Sequence, residues 1–432
     1  MSLIIPDKEK PSCPHKVPAL PVICNQTIFT FELTALCGTK KHNMENNFDE
    51  ITERRNTNCF KWDLDGGDIL PMWVADMDFK TAPAVIQALA ERTSHGIFGY
   101  SLTPPAFYKA ITGWWNKRHG LSISKDWIVP TPGILPALSA TLTGLTSKDS
   151  KVVIQPPVYN HFFVTIEHGD CQLVENNLVY EEGQYHIDFE DLDKKLAAPE
   201  VKLFLLSNPH NPAGRVWTRE ELQRIGDISL KNKVIVLSDE IHSDLVYKEH
   251  SHIPFASLGE EYSLNSVTFG SPSKTFNLAG LQTAYLFTEN EELRKTITEV
   301  LQKQEMTLLN VFGIEGLIAA YEKGETWLDE LRTYLYDNYL YLKTFCSTFL
   351  PEAGISPLEG TYLVWINCNA FGIHSDALAG RLLQNEQLRI SPGSIFGKPG
   401  DYFIRVNIAC PRSLLQEGLE RLARELRKAG PA

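Results

Sequence analysis

The chain has 432 residues, 43% hydrophobic and 22% charged, a globular composition too long for one compact core and therefore read as two domains. A formal net charge of −12 argues against a nucleic-acid surface, which needs clustered basic charge, and no apolar run approaches the roughly 18 residues of a membrane helix. The eight cysteines form neither a C-x-x-C pair nor a Cys/His set at zinc spacing, so reduced thiols, a cytoplasmic location and no metal are expected.

Residues 1–43 carry prolines at positions 6, 11, 14, 18 and 21 and show no hydrophobic period. Lysines followed by the apolar stretch 17–24 faintly resemble a secretion signal, but prolines break that stretch and no small-residue cleavage site follows. A disordered extension is expected there, with the folded protein opening at Met44. Residues 56–79 read as loop, rich in Gly, Asp and Trp. Residues 83–92 read as a helix with Pro83 in its first turn, 95–101 as a glycine-punctuated turn, and 105–117 as an amphipathic helix.

From Trp127 onward, short β-branched runs alternate with helical patterns. Strands are expected at 127–129, 152–154, 201–206, 234–237 and 267–269. Thr218 with Glu221 three residues on marks a capping box. Continuous apolar strands separated by helices mean a mostly parallel sheet covered on both faces. The last third opens on one long helical pattern, 325–349, with Leu328, Leu331, Leu335, Leu342 and Phe345 on one side. Further strands and two helices follow it. The expected organisation is an N-terminal arm (44–90), a large domain (91–325) and a smaller α+β domain (326–432).

Ligands of an open parallel sheet sit beyond the carboxyl ends of its strands. Gly133, Tyr159, Asn211, Asp239 and Lys274 all fall at such ends. Each alone has an ordinary explanation: a helix start, a half-buried aromatic, an Asx turn, a strand-end cap, a solvated lysine. Together they suit pyridoxal phosphate. A desolvated lysine amine attacks its aldehyde, and a carboxylate at a neighbouring strand end keeps its ring nitrogen protonated. The bare N–H groups of the helix opening after Thr131-Pro132-Gly133 suit its phosphate, as do the hydroxyls of Ser271 and Ser273.

Nine motifs then appear in one order: LPMWVADMDF at 70–79, HGIFGY at 95–100, TPG at 131–133, QPPVY at 155–159, SNPHNPAGR at 207–215, SDEIHSD at 238–244, SPSKTFNLAGLQ at 271–282, GTYLVW at 360–365 and FIRVNIACPR at 403–412. With them the chain resembles the fold-type I, pyridoxal-phosphate-dependent aminotransferases of class I/II, and within these the MalY/PatB-type cystathionine β-lyases. The resemblance covers about 48–432. It implies an α/β fold, a large domain with a mostly parallel seven-stranded sheet covered by helices, plus a smaller α+β C-terminal domain. It implies pyridoxal 5′-phosphate as cofactor, with Lys274 as Schiff-base lysine and base, Asp239 on the pyridine nitrogen, Asn211 on the ring hydroxyl and Tyr159 stacked on the ring. It places Gly133, Ile134, Leu135, Ser271 and Ser273 around the phosphate and His242 beside the cofactor. Arg405 and Ala75 would bind substrate, and Tyr100 would reach the neighbouring subunit's cofactor, making a homodimer obligatory.

His242 and Gln282 depart from the aminotransferase pattern, which often carries tyrosine and a phosphate-binding arginine at those places. Both fit the lyase branch. The expected activity is β-elimination from cystathionine or related cysteine S-conjugates, giving thiol, pyruvate and ammonia. An aminotransferase on the same scaffold is the near alternative, and a regulatory protein retaining the fold the distant one. Trp73, Asp76 and Tyr100 either line the distal side of the substrate or serve loop packing.

Overall fold

The computed structural model describes residues 44–429; the extension expected over 1–43 lies outside the described residues. In chain order the strands are β1 (Leu70–Pro71), β2 (Ile128–Thr131), β3 (Lys151–Ile154), β4 (Gln172–Glu175), β5 (Val179–Glu181), β6 (Gln184–His186), β7 (Val201–Ser207) and β8 (Ile235–Asp239). Then come β9 (Ser266–Gly270), β10 (Ala284–Phe287), β11 (Gly354–Ile355), β12 (Leu363–Asn367), β13 (Leu388–Arg389), β14 (Ser391–Pro392) and β15 (Phe403–Asn407). The seven-stranded sheet runs β2-β10-β9-β8-β7-β3-β4, parallel except for β10, which is antiparallel to both neighbours. A four-stranded antiparallel sheet, β11-β12-β15-β14, follows the long helix. The α/β class expected from the alternating pattern is the class observed.

Period-2 alternation explains why β7 reads as an unbroken apolar run. Leu203 and Leu205 pack on one face with Ala137 and Leu138 of the helix Ile134–Leu145. Phe204 and Leu206 pack on the other with Leu222 and Ile225 of the helix Arg219–Asn232. A strand buried on both sides has no polar face to show. The capping box of that second helix forms as expected, Thr218 Oγ1 accepting from Glu221 N at 3.2 Å and Glu221 Oε2 from Thr218 N at 2.8 Å. The helix Glu325–Phe349 buries the five residues named from sequence. No helix among the described residues is long and apolar enough to cross a membrane.

Three local expectations change. The strand expected at 127–129 begins at Ile128, because Lys125–Trp127 closes a 3₁₀ turn capped by Ser124. The supposed loop 56–79 contains a helical turn, Phe60–Asp63, and β1, which pairs in parallel with β13. The lysine stretch 271–280, which reads in the sequence as a small polar turn between two strands, contains a one-turn helix, Pro272–Thr275, whose N-cap Ser271 accepts from Ser273 N at 3.1 Å. Gly270 before it must lack a side chain, since a Cβ would meet the Tyr285 ring at 2.8 Å.

The segment after β1 is pinned from several elements at once. Asp78 is buried and receives Lys61 Nζ at 2.7 Å, Arg54 Nη1 at 2.7 Å and Trp62 Nε1 at 2.8 Å. Asn277 donates to the Met77 and Phe79 carbonyls, each at 3.0 Å. The Lys61 side chain is 1% exposed, so Asp78→Ala would strand its ammonium without a counter-charge. Urea unfolding of Asp78→Ala is expected to give a stability about 3–5 kcal/mol below wild type, the usual cost of removing one partner from a buried ion pair. A loss under about 1 kcal/mol would show that water or Asp76 replaces the lost carboxylate.

Candidate active site

The carboxyl ends of β7, β8 and β9 open toward β15 of the smaller sheet. Arg405, central in β15, is buried and lies across from Trp365 on one side and Ser391 on the other. Its Nη1 donates to Asn211 Oδ1 at 3.0 Å and its Nη2 to the Trp73 carbonyl at 2.7 Å, while the Phe396 ring lies 4.7 Å from Cζ. Among the described residues no carboxylate is within ion-pair distance of it, and its Nε has no partner. Burial pulls its pKa down to about 10. A buried guanidinium without an anion is costly, and it is a ready fork for a ligand carboxylate. Because Arg405 holds Asn211 Oδ1, the amide nitrogen is the free end of that side chain.

Lys274 projects from its helical turn, and its Nζ donates to the Ala75 carbonyl at 2.7 Å. Desolvation lowers its pKa to about 8; Arg405 adds to the effect, and Asp76 and Asp239 oppose it. Asp239 ends β8, and the one hydrogen bond to its carboxylate comes from Ile241 N at 3.2 Å. No cation is within ion-pair distance among the described residues. Burial raises its pKa to about 7 against the pull of the Ile241 N–H and of Lys274. Tyr159 caps the helix Asn160–His168 within the field of both Asp239 and Arg405; burial, then Asp239, raises its hydroxyl to about 12. His242 is buried with Nδ1 unpartnered, and burial, then Lys274 and Arg405, lowers its pKa to about 3, so the ring is neutral.

Gly133 precedes the helix Ile134–Leu145 at φ 154°, in the region glycine favours. The helix therefore opens with the N–H groups of Ile134 and Leu135 ahead of Pro136, which has none. Ser271 is placed differently from expectation: it is buried, donates its hydroxyl proton to the Thr283 carbonyl at 2.8 Å and accepts from Ser273 N at 3.1 Å, so it has no proton left for a phosphate. Tyr100 is 98% exposed on the 95–104 loop and is not gathered with the others in this chain. Gln282 is also exposed.

Several neighbours escaped the reading of the sequence. Ala75 was expected at the substrate; its carbonyl holds the lysine amine. Asn407 donates to the Val74 and Asp76 carbonyls at 2.6 and 2.8 Å. Tyr362 is buried beside His242, their rings 6.1 Å apart. The i, i+2 relation of Arg405 to Asn407 was the available signal for one of them, since alternate strand residues share a face.

The residues present fit pyridoxal phosphate. Asp239 is a buried carboxylate lacking a cation, as the protonated ring nitrogen requires. Lys274 is a desolvated amine of lowered pKa. The Gly133–Leu135 helix start suits an anion, and Asn211 and His242 carry polar atoms with nothing on them. Among the described residues no group of three or more His, Cys, Asp or Glu side chains is placed to hold a metal ion.

Residues 68–422 match the family described as aminotransferase class I and II. The chain is 42% identical to the cystathionine β-lyase PatB of Bacillus subtilis, over 87% of this chain and 98% of that protein. It is 34% identical to the protein MalY of Escherichia coli, over 88% and 98%. It superposes on the crystal structure of the PLP-bound C-S lyase from Staphylococcus hominis with a TM-score of 0.83 at 36% identity, covering 88% of this chain and 99% of that one.

Asp239 supplies a test of the site that needs no turnover. Its folded pKa of about 7 lies above an unfolded value of about 4, so folding without cofactor takes up a proton between those limits. The stability of the cofactor-free protein is penalised progressively as pH rises through that window, and the penalty is complete above it. Asp239→Asn removes the penalty. The unfolding free energy of the variant, relative to wild type, is expected to rise from pH 4 to pH 7 by up to about 4 kcal/mol, at 1.36 kcal/mol per pKa unit. A difference that stays flat with pH contradicts the assignment.

Proposed function

The chain belongs to the aminotransferase class I and II family, and from that membership we propose that it is a pyridoxal 5′-phosphate-dependent carbon–sulfur β-lyase. It cleaves cystathionine or a related cysteine S-conjugate to thiol, pyruvate and ammonia. Arg405 is the observation that carries the amino-acid part of this reading: a buried guanidinium without a counter-ion, in the same field as Lys274 and Asp239. The lyase part is supported by full-length likeness to proteins named as C–S lyases.

When bound, the cofactor supplies an electron sink for the pair left at the substrate Cα. Lys274 would hold the cofactor through its amine and would take the substrate Cα proton on Nζ. At a pKa of about 8 the amine is close enough to neutral near physiological pH to act as base and then acid. Arg405 binds the α-carboxylate and, with Ala75 beside Lys274, orients the Cα–H bond toward Nζ. Asp239 holds the proton of the ring nitrogen, which that proton's charge stabilises in turn. Asn211 presents its amide N–H to the ring hydroxyl, and Tyr159 covers a ring face. Gly133, Ile134 and Leu135 would hold the phosphate through backbone N–H groups, with the Ser273 hydroxyl as a further donor. His242, neutral, packs beside the ring without adding charge. Once Lys274 has taken the proton, the electron pair left at Cα forms the Cα=Cβ bond as the Cβ–S bond breaks and the thiolate departs, and water hydrolyses the released 2-aminoacrylate to pyruvate and ammonia.

The active unit is a homodimer in which Tyr100 enters the site of the other subunit. Support comes from the exposure of Ile97, Phe98, Tyr100 and Leu102 on one loop, an apolar run that water alone does not favour. A large cofactor domain (91–325) and a small domain (326–432) complete the proposal, with a cytoplasmic location supported by the five described cysteines, all free thiols.

Incubation with cystathionine and no 2-oxo acid is expected to release pyruvate steadily; a single half-turnover that stalls would assign the chain to transamination instead. Lys274→Ala is expected to lower that rate by about a hundredfold to ten-thousandfold, the span of positioned acid–base groups. Mixing inactive Lys274→Ala with a Tyr100→Ala variant is expected to restore up to about a quarter of wild-type activity, because about half of the dimers formed are mixed and each of these holds one intact site of its two. No recovery on mixing would overturn the shared site.

A further inference from the structure

Trp73 joins the substrate clamp to a charged ledge outside it. Its carbonyl accepts from Arg405 Nη2 at 2.7 Å and from Ser391 Oγ at 3.1 Å. Its ring carries the Arg389 guanidinium at 4.4 Å and meets Phe60 at 5.4 Å. Arg389 is in turn ion-paired to Asp65, and the two side chains are 27% and 23% exposed, open enough to be reached and covered enough to be held.

Strand geometry places this ledge on the face of the clamp. Ser391 is in register with Arg405, so their side chains share a face. Arg389 ends β13, paired with β1, and Ser391 opens β14 after the single residue Ile390; Leu388 and Ile390 are buried while the Arg389 side chain is partly exposed beside the Trp73 ring. Two extended residues span about 7 Å. The two α-carbons of cystathionine are separated by five bonds, roughly 6 Å when extended. Ser391 stands about 5 Å across the ladder from Arg405, which puts the α-carbons of Arg405 and Arg389 about 9 Å apart, a span that the two arginine side chains and an extended cystathionine cover together.

We propose that Trp73, Arg389 and Asp65 form a distal subsite that recognises the zwitterionic amino-acid head of a thioether substrate, a reading that rests on the C–S lyase function above. Arg389 takes the distal carboxylate and Asp65 the distal ammonium, an exchange of partners that keeps both charges compensated. The Trp73 and Phe60 rings face the thioether and its methylenes, where sulfur–aromatic contact is favourable. An exposed ion pair of this kind adds little to fold stability, so its removal leaves the scaffold intact.

Calorimetric binding to the holoenzyme tests this without turnover. The probes are 2,7-diaminosuberate, which has the cystathionine length and both heads but no leaving group, and 2-aminooctanoate, which lacks the distal head. Wild type is expected to bind the first at least about tenfold more tightly. Arg389→Gln and Asp65→Asn are each expected to bring that ratio near one while leaving 2-aminooctanoate affinity within about twofold. An unchanged ratio in Arg389→Gln, or an equal loss for both probes, overturns the subsite. Neither probe carries a β leaving group, and without a 2-oxo acid a transaminase would react at most once per site with either one, so the comparison of the two still reads the distal head. The same variants, assayed on cystathionine and on S-benzylcysteine, are expected to raise KM for the first alone; a fall in kcat on both substrates also overturns it.

Discussion

Four backbone carbonyls in a row, those of Trp73, Val74, Ala75 and Asp76, are the fixed points on which the site is built. Arg405 donates to the first, Asn407 to the second and fourth, Lys274 to the third, and Lys61 to the fourth. These donors come from β15, from the lysine turn and from the helical turn before β1. One short bent segment, in which Asp76 N also donates to the Val74 carbonyl at 2.9 Å, therefore sets the spacing of the Arg405 guanidinium relative to the Lys274 amine. Carbonyl oxygens do not titrate and carry no rotamer freedom, so the spacing they impose is stiff. The buried Asp78 cluster and the Asn277 bonds anchor the segment from behind, where no ligand is needed.

The groups left over after this wiring are the chemically informative ones. Asp239, Lys274 and Arg405 are all desolvated, and none has a side-chain counter-ion within ion-pair distance among the described residues. Such an arrangement opposes folding, as each unpaired charge shifts its pKa toward the neutral form. It persists because the sheet core and the carbonyl row hold the strand ends in place whatever those charges prefer. Ligand binding then relieves the penalty: an anion for Arg405, a protonated ring for Asp239. The instability of the empty site and the affinity for its occupants are two sides of one electrostatic fact.

What sequence made legible follows from what is local. The helix Glu325–Phe349 was readable because five apolar residues recur at its period, and the Thr218–Glu221 box because its two side chains lie three residues apart. Lys274, Asp239 and Asn211 were readable because polar residues interrupt apolar strands at their ends, whereas Arg405, central in β15, was readable only through the motif FIRVNIACPR. The carbonyl row was not, since a backbone acceptor leaves no trace in residue identity: Ala75 matters through its oxygen, which every residue has. Lys61 and Asp78, 17 residues apart, looked like two loop charges until the fold buried them together. The lysine turn was placed correctly and given the wrong local geometry, because four residues are too few to show a period. Tyr100 stands apart from the other site residues, exposed on its loop, and nothing within one chain gathers it to them.

The segment from Asp239 to Asp244 shows how the fold selects one carboxylate for chemistry. Three acids lie within six residues, all buried. Glu240 is saturated, accepting from Ser238 Oγ at 2.8 Å and Phe255 N at 2.9 Å and meeting His252 Nε2 at 2.7 Å. Asp244 is saturated too, with Trp114 Nε1 at 3.0 Å, His119 Nε2 at 3.0 Å and Thr275 Oγ1 at 2.9 Å. Burial alone would push the Asp244 pKa up, but His119 and Thr275 draw it below the usual carboxylate range. Through Thr275 the same carboxylate braces the helical turn that carries Lys274, and through the edge-to-face contact of His119 with His252 it is coupled to Glu240. Asp239, between strand and turn, receives one backbone N–H. Two acids that are fully bonded make a mounting; the one left open, next to a desolvated lysine, is the one positioned to hold a ligand's proton.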